Sequence, residues 1–334
     1  AFVIYAFILM IWGDKKIPTA SMKYGVHVVD STMYKMGIRN GDKILEIDGK
    51  EVADYEKLRR NLLLGSSVTV DRNGQKVSLT LDEDLIGQLV ENRNKEVSGF
   101  VEVRKPAIVF FVPDTAKAYK AGLRNNDKLV AIDSVRFEFY DELQNQLNQK
   151  KNKTIELTVV RDGQEVNFPV AVSDEGKIGF APYGYNYQQM DSLGWVKLNV
   201  TKYSFFAAFP AGVKKAGNEL MFYIDQFKKI LNPKTGAYKG VGGFKAMGSI
   251  FPKYGWDWEQ FWRITAFLSI VLAFMNLLPI PALDGGHVMF TLYEMITRRK
   301  PNEKFLEYAQ VVGMVLLLGL MLYANGNDWF GWGK

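Results

Sequence analysis

The stretch Asn276 to His287, NLLPIPALDGGH, gathers groups that a plain apolar helix does not need. Asn276 is a carboxamide inside a hydrophobic run. Asp284 is an ionisable group at the end of that run, and His287 follows three positions later. A carboxylate in or beside lipid is costly, so its presence argues for function. Pro279 and Pro281 break a helix at this depth, and broken backbone there has to line protein or a water-filled cavity. Gly285 and Gly286 add a flexible turn, and His287 reads most simply as a hydrogen-bonding residue at a helix start. Other chemistries are excluded by composition. With no cysteine, the chain has no disulfide, thiolate nucleophile, cysteine-bound zinc or iron–sulfur cluster. Histidine occurs only at His27 and His287, so a mechanism needing several imidazoles cannot be completed within these residues. A serine-protease reading fails for want of a Gly-x-Ser-Gly segment with a paired histidine.

The elements that must position this segment emerge once the averages are broken into blocks. The chain has 334 residues, 48% hydrophobic and 23% charged, with a net charge of +6. Its mean hydropathy of −0.09 suggests a soluble protein, and the mild charge gives no argument for nucleic acid. Yet Ile264–Leu283 and Tyr308–Asn327 are each twenty residues without a charge, long enough to cross a hydrocarbon core. Trp256, Trp258 and Trp262 precede the first run, and Trp329, Phe330 and Trp332 follow the second, as interfacial belts do. Between the runs lie Arg298, Arg299, Lys300 and Lys304, which by the positive-inside rule make that loop cytoplasmic. Residues of about 13 to 260 then fall on the extracytoplasmic side. Ala1 to Trp12 is uncharged and reads as the end of a further transmembrane helix that starts upstream.

That middle region carries an internal repeat at an offset of 85. Residues 33–48 read MYKMGIRNGDKILEID and residues 118–133 read AYKAGLRNNDKLVAID. Tyr34, Lys35, Gly37, Arg39, Asn40, Asp42, Lys43, Ile47 and Asp48 each have an identical partner. Each copy predicts a strand (Tyr24 to Val29; Ala107 to Val112), a short helix closed by Gly37 or Gly122, and a second strand. A helix from Tyr55 or Tyr140 and a hairpin turning at Asn73-Gly74 or Asp162-Gly163 complete it. The phrase GIRNGDKILEIDG resembles the PDZ family. The second copy departs from the pattern at Asn126, in place of a glycine, and at Ser134. The resemblance implies a groove where a guest peptide adds as a strand and its C-terminus is held by backbone N–H groups. The candidate groove residues are Tyr24, Gly25 and Val26 in the first copy, with Ile108 and Val109 in the second. The alternative is a fold used only as a spacer or size filter.

Tyr203 to Leu231 mixes apolar residues with Lys214, Lys215, Glu219, Asp225, Lys228 and Lys229, and predicts an amphipathic helix at a membrane surface. Gly236–Gly248 is glycine-rich but lacks the preceding strand and third glycine of a phosphate loop.

The twelve-residue motif and the tandem copies together resemble the site-2 protease family of intramembrane zinc metalloproteases, of the bacterial regulator-of-sigma type. The order of elements agrees over nearly the whole chain. The resemblance implies a multidomain α+β membrane protein, with two PDZ-like β-rich domains inserted between the transmembrane helices of a polytopic helical protease core. The expected boundaries are the end of a transmembrane helix (1–13), PDZ-like domains (18–88 and 97–176) and an amphipathic membrane-surface region (190–258). A transmembrane helix (261–283), a cytoplasmic loop with the motif (284–304) and a last transmembrane helix (305–326) follow.

Carried over, Asp284 is a zinc ligand, and Asn276, Pro279 and Pro281 shape the substrate cleft, with Asn276 hydrogen-bonding the substrate backbone. Gly285 and Gly286 let the backbone approach. Zinc is the implied cofactor. The implied partners are single-span membrane proteins such as a membrane-anchored regulator, the lipid bilayer, and peptide C-termini at the PDZ-like domains. The implied location is a bacterial inner membrane, crossed several times. The family's H-E-x-x-H motif, which supplies two more ligands and a general base, is absent from these residues, and its place is expected in a missing N-terminal portion. The competing reading is a non-catalytic membrane scaffold with two peptide-binding modules.

Overall fold

The computed structural model describes residues 1–92, 99–184, 186–251 and 256–332. The expected start of the second repeat domain at 97, and residues 252–255 of the expected surface region, lie outside them. The chain divides into a helical unit (Ala1–Lys15, Asp82–Arg93, Val200–Lys334) and a β-rich unit (Lys16–Leu81, Asn94–Asn199). It therefore passes through the helical unit between its two repeats.

The chain opens in the helical unit with α1 (Phe2–Ile11), ten apolar residues that bury Tyr5, Ala6, Ile8 and Leu9. The first repeat begins with β1 (Val26–Val28). A short helix, Ser31–Lys35, follows, its N-terminus capped by the Asp30 carboxylate accepting from the Thr32 amide at 2.8 Å. Next come β2 (Lys43–Ile47), β3 (Lys50–Glu51), α2 (Tyr55–Leu64), β4 (Ser67–Arg72) and β5 (Gln75–Thr80). These strands pair antiparallel in the order β3-β2-β4-β5. After the first repeat comes β6 (Val101–Val103), which pairs with β1. The second repeat has β7 (Val109–Phe111), the helix Lys117–Ala121, β8 (Lys128–Ile132), β9 (Val135–Arg136), α3 (Tyr140–Gln149), β10 (Thr154–Arg161) and β11 (Gln164–Ala171), and is followed by β12 (Ala181–Pro182). Its sheet has the matching order β9-β8-β10-β11. The inward residues of β8, α3 and β10, among them Leu129, Ile132, Leu143, Leu147, Ile155 and Leu157, form its core.

Both hairpins turn where the sequence predicts. Asn73 and Gly74 have φ of 53° and 83°, and Asp162 and Gly163 have 50° and 82°, the doubled positive φ of a two-residue turn. Asn126 takes φ 69° where Gly41 has 89°, a conformation asparagine tolerates, so the departure at Asn126 leaves the backbone path intact.

The repeat extends to buried electrostatics. Arg72 donates from Nε to Asp42 Oδ1 (2.8 Å) and from Nη2 to Asp42 Oδ2 and the Gly37 carbonyl (2.7 Å each). Arg161 does the same to Asp127 and Gly122 at the same lengths. Both aspartates are buried, and each is held by a two-pronged guanidinium.

In the helical unit α4 (Phe205–Leu231) packs along α1 and along α5 (Trp258–Leu277). Tyr5, Ile8, Ala216, Ala266 and Ile270 form the common core. Gly212 lets two backbones meet: a β-carbon there would stand 2.6 Å from the Ala6 amide nitrogen. Tyr223 and Phe227 stack edge-on against Phe274 at 5.4 and 5.5 Å. The helix expected over Tyr203–Leu231 is present, with one face buried against two other helices. Lys215 reaches Asp14 at 3.2 Å and Lys15 pairs with Glu259 at 2.5 Å, both largely buried.

The end of the chain comprises α6 (Asp284–Thr297) and α7 (Glu303–Phe330). Helices α5 and α7 are long and apolar enough to cross a membrane, and little of their apolar stretch is covered by protein. This suggests association with a membrane. Two boundaries are corrected. Helix α5 stops at Leu277 rather than 283, because Pro279 can neither donate to the ladder nor fit the turn before it. Most of the expected loop 284–304 is the helix α6, whose first turn is opened by a favourable carboxylate, Asp284.

The glycine-rich stretch is a packing device. Gly243 and Ala246 donate their amides to Asp328 Oδ2 of α7 at 2.8 and 3.0 Å, so these N–H groups are already taken. Gly87, in the short helix Leu85–Glu91 between the repeats, lies against Gly236, where a β-carbon would stand 2.9 Å from the facing Cα.

Candidate active-site segment

Asn276 lies in the last turn of α5 and is half-buried. Beyond it the backbone leaves the helical ladder and closes on itself. The Leu278 amide donates to the Met275 carbonyl (3.2 Å), Ile280 to Leu278 (2.7 Å), Leu283 to Ile280 (3.0 Å) and Gly286 to Leu283 (3.0 Å). Ala282 sits at φ 83°, a left-handed conformation uncommon for alanine. The loop Leu278–Leu283 therefore folds back and delivers Asp284 to the head of α6, exposed, with His287 one turn on and also exposed.

Gly285 and Gly286 are buried beneath this loop. A β-carbon on Gly285 would overlap the Leu278 carbonyl oxygen, and one on Gly286 would stand 2.7 Å from the Ile280 oxygen. Both positions are therefore points of close packing between the loop and α6. The segment thus brings Asn276, Pro279, Pro281, Asp284, Gly285 and Gly286 into one continuous turn. It does not assemble a metal centre: among the described residues no group of three or more histidine, aspartate or glutamate side chains could hold an ion. A catalytic zinc takes about three protein ligands. Asp284 is one donor and does not fit the metal alone, and His27 belongs to the β-rich unit.

The expected peptide groove needs correction. The Val26 amide donates to the Asp42 carbonyl (2.9 Å) and its carbonyl accepts from Gly41 (2.8 Å), while β6 covers the other edge of β1. Val109 repeats this with Asp127 (2.9 Å) and Asn126 (2.8 Å), and β12 covers the other edge of β7. Gly25, at φ 67°, accepts from the Arg104 amide at 3.1 Å. Tyr24 packs edge-on against Phe139 at 5.2 Å, and the Ile108 carbonyl accepts from the Tyr183 amide at 2.9 Å. Val26 and Val109 thus lie on strands flanked on both sides, and Tyr24, Gly25 and Ile108 are engaged beside them, so a guest strand cannot add there. The outer strands are β6 and β12, each contributed by chain that follows its repeat. Their edges are themselves restricted. The Val101 carbonyl of β6 accepts from Tyr55 Oη at 3.0 Å, and burial pushes that phenol well above its ordinary range. Pro182 of β12 has no N–H to offer.

No pattern in the residues points to the contact between the repeats. Asp141 of α3 accepts from Arg104 Nε and Nη2 at 3.0 Å each, and from Asn40 Nδ2 of the first repeat at 2.6 Å. Asn40 also accepts from the Val28 amide at 2.7 Å, as its counterpart Asn125 accepts from Val112 at 2.9 Å. The identity of Asn40 and Asn125 across the repeat was the available signal, and it pointed to the local bond only. Beside this contact a cavity of about 360 Å³ opens between the outward face of β1 and β6, with His27 and Glu102, and the face of α3 bearing Tyr140, Gln144 and Asn148.

Comparison with known proteins agrees with the reading from the motif. The profile of peptidase family M50 matches residues 1–320. A provisionally named zinc metalloprotease of Campylobacter jejuni is 30% identical over 233 residues, covering 67% of this chain and 60% of its own length. Similarly named proteins of Treponema pallidum and Neisseria meningitidis are each 25% identical, over 91% and 90% of this chain and 68% and 69% of theirs. The chain spans about three fifths of the length of the first relatives it matches, including one of Mesorhizobium japonicum at 63%. With the profile extending over nearly all its residues, the chain belongs to peptidase family M50.

Proposed function

We propose that this chain is the part of an intramembrane zinc metalloprotease that carries the aspartate ligand, the substrate cleft and the access-controlling repeats. The observation that carries this reading is the turn from Asn276 to Gly286. Two prolines end an apolar helix, and the following backbone is folded so that a lone carboxylate stands at the head of the next helix. Asp284 contributes one zinc ligand, and the other donors come from residues outside these 334. Asn276 hydrogen-bonds the unwound backbone of the substrate, and Pro279 and Pro281 keep the cleft free of helical structure. The substrates are single-span membrane proteins, such as a membrane-anchored regulator, cleaved within the lipid bilayer of a bacterial inner membrane crossed several times by the enzyme. The two PDZ-like repeats stand on the extracytoplasmic side and limit access. The restrictions at Val101 and Pro182 favour a filtering role over capture of a peptide C-terminus, and so disfavour a scaffold whose business is peptide binding.

The test is Asp284→Asn in the protein extended upstream of Ala1. Cleavage of a single-span substrate is expected to vanish while the folded protein accumulates normally. Full retained activity would remove Asp284 from the reaction centre. Sequencing upstream for H-E-x-x-H on a hydrophobic segment is the complementary check.

A further inference from the structure

The loop that presents Asp284 is gripped from a side that its own motif does not reach. Gly313 of α7 is buried, and a β-carbon on it would overlap the Pro281 carbonyl oxygen and stand 2.5 Å from the carbonyl carbon. No real β-carbon sits at such distances from backbone, so any other residue there must displace the loop or the helix. A β-carbon on Gly319, six residues on in the same helix, would meet nothing within 4 Å. The requirement for glycine is therefore local to the crossing with Pro281 and not a general property of α7. Gly285 and Gly286 press backbone against Leu278 and Ile280 as well. The loop is met by bare backbone from two helices, α6 and α7, and Ala282, at φ 83°, lies between the gripped carbonyl and Asp284.

We propose that Gly313 is a positioning residue, whose bare backbone sets the placement of the loop Leu278–Leu283 and hence of Asp284. The proposal rests on the reading of this segment as the active-site segment. It predicts that a single added methyl acts on the reaction through the loop and not through the stability of the helix.

The experiment compares Gly313→Ala with Gly319→Ala in the protein extended upstream. Gly313→Ala is expected to lower kcat on the order of a hundredfold, the cost of a misplacement near an ångström. KM should change by less than about twofold, the pattern of a loss confined to the transition state. Gly319→Ala should leave both unchanged. An activity-free readout runs beside it. These 334 residues hold no cysteine, so Ala282→Cys supplies a single thiol to this chain, labelled with a water-soluble maleimide. Its labelling rate should change several-fold when Gly313→Ala is added and stay constant with Gly319→Ala. Unchanged kcat together with unchanged labelling would overturn the assignment. So would loss of folded protein for Gly313→Ala alone, which would make Gly313 a folding residue. If Asp284→Asn remains active while labelling still responds to Gly313, the active-site reading has failed and the grip on the loop has not.

Discussion

Arg104 and Asp141 meet through two hydrogen bonds of 3.0 Å each, and the guanidinium also lies 3.7 Å from the centroid of the Phe139 ring. Arg104 follows the strand that completes the first repeat, whereas Asp141 begins the helix of the second, so this pair fastens one repeat to the other. Both side chains are largely buried. The guanidinium also pairs with the exposed Glu142 at 2.7 Å, so neutralising Asp141 removes its buried partner but not all of its compensation. Asp141→Asn is expected to destabilise the β-rich unit by about 2 kcal/mol, the scale of a lost hydrogen bond to a charged group. Native-state hydrogen exchange should show the loss in both repeats, and a loss confined to the second would mean that the contact does not couple them.

The Asp42–Arg72 and Asp127–Arg161 pairs should behave alike because their geometry is alike. Arg72→Met and Arg161→Met each leave a buried carboxylate without its two-pronged partner, at a cost of about 3 kcal/mol. Arg→Lys at either position should recover only part of this, since an ammonium cannot span both oxygens. Chemical denaturation of the four variants checks it. A full rescue by lysine would reduce the interaction to simple charge.

Lys105 gives a pH dependence with a definite sign. Burial, opposed by the nearby Glu102, lowers its pKa from the ordinary 10.5. Between the lowered value and 10.5 the unfolded chain binds more protons than the folded one, so this residue's contribution to stability rises with pH across that window. The parent should therefore gain stability relative to Lys105→Met as the pH is raised through the alkaline range towards 10.5, with little relative change below the lowered pKa. Thermal unfolding of both proteins over that range is the measurement. A relative loss on the alkaline side would reverse the sign.

The metal should not be held by these residues alone. Since Asp284 is a single donor and no cluster of three stands among the described residues, the purified 334-residue chain is expected to lose zinc on dialysis. Metal analysis after equilibration reads this directly, and one zinc retained per chain would contradict the ligand count.

The open strand edges can be located by amide exchange. The Val26 and Val109 amides are bonded within the fold and should be protected without any added peptide. Where a peptide binds the repeats, new protection should appear on Val101–Val103. Protection gained at Val26 instead would restore the groove read from the sequence.

Much of this is legible in the amino-acid sequence. The repeat, its hairpin turns and the segment around Asp284 were visible because each depends on local chemistry: Asn-Gly and Asp-Gly need positive φ, prolines end a helix, and glycines admit close backbone. The groove was misplaced because strand order is not a local property. β6 and β12 lie far along the chain from the strands they flank, and a strand read in isolation cannot reveal that its edges are taken. Gly313 escaped for the same reason. Nothing near it in sequence distinguishes it from Gly319, and only the crossing with Pro281 does so. The helix α6 departs from the expected loop because the basic residues Arg298 to Lys300 lie only beyond its end, after a largely apolar stretch.

The pairing of β6 with β1 also decides where this gene can be cut. Each repeat leaves the helical unit and returns to it, so either looks removable as a cassette, with its two ends rejoined. They are not equivalent. Removing 94–199 strips Val26–Val28 of the partner that shields it and exposes a hydrophobic strand to neighbouring molecules, a route to aggregation. A shortened gene that keeps the first repeat soluble must carry Phe100 to Arg104 with it, although those codons belong by every sequence criterion to the second.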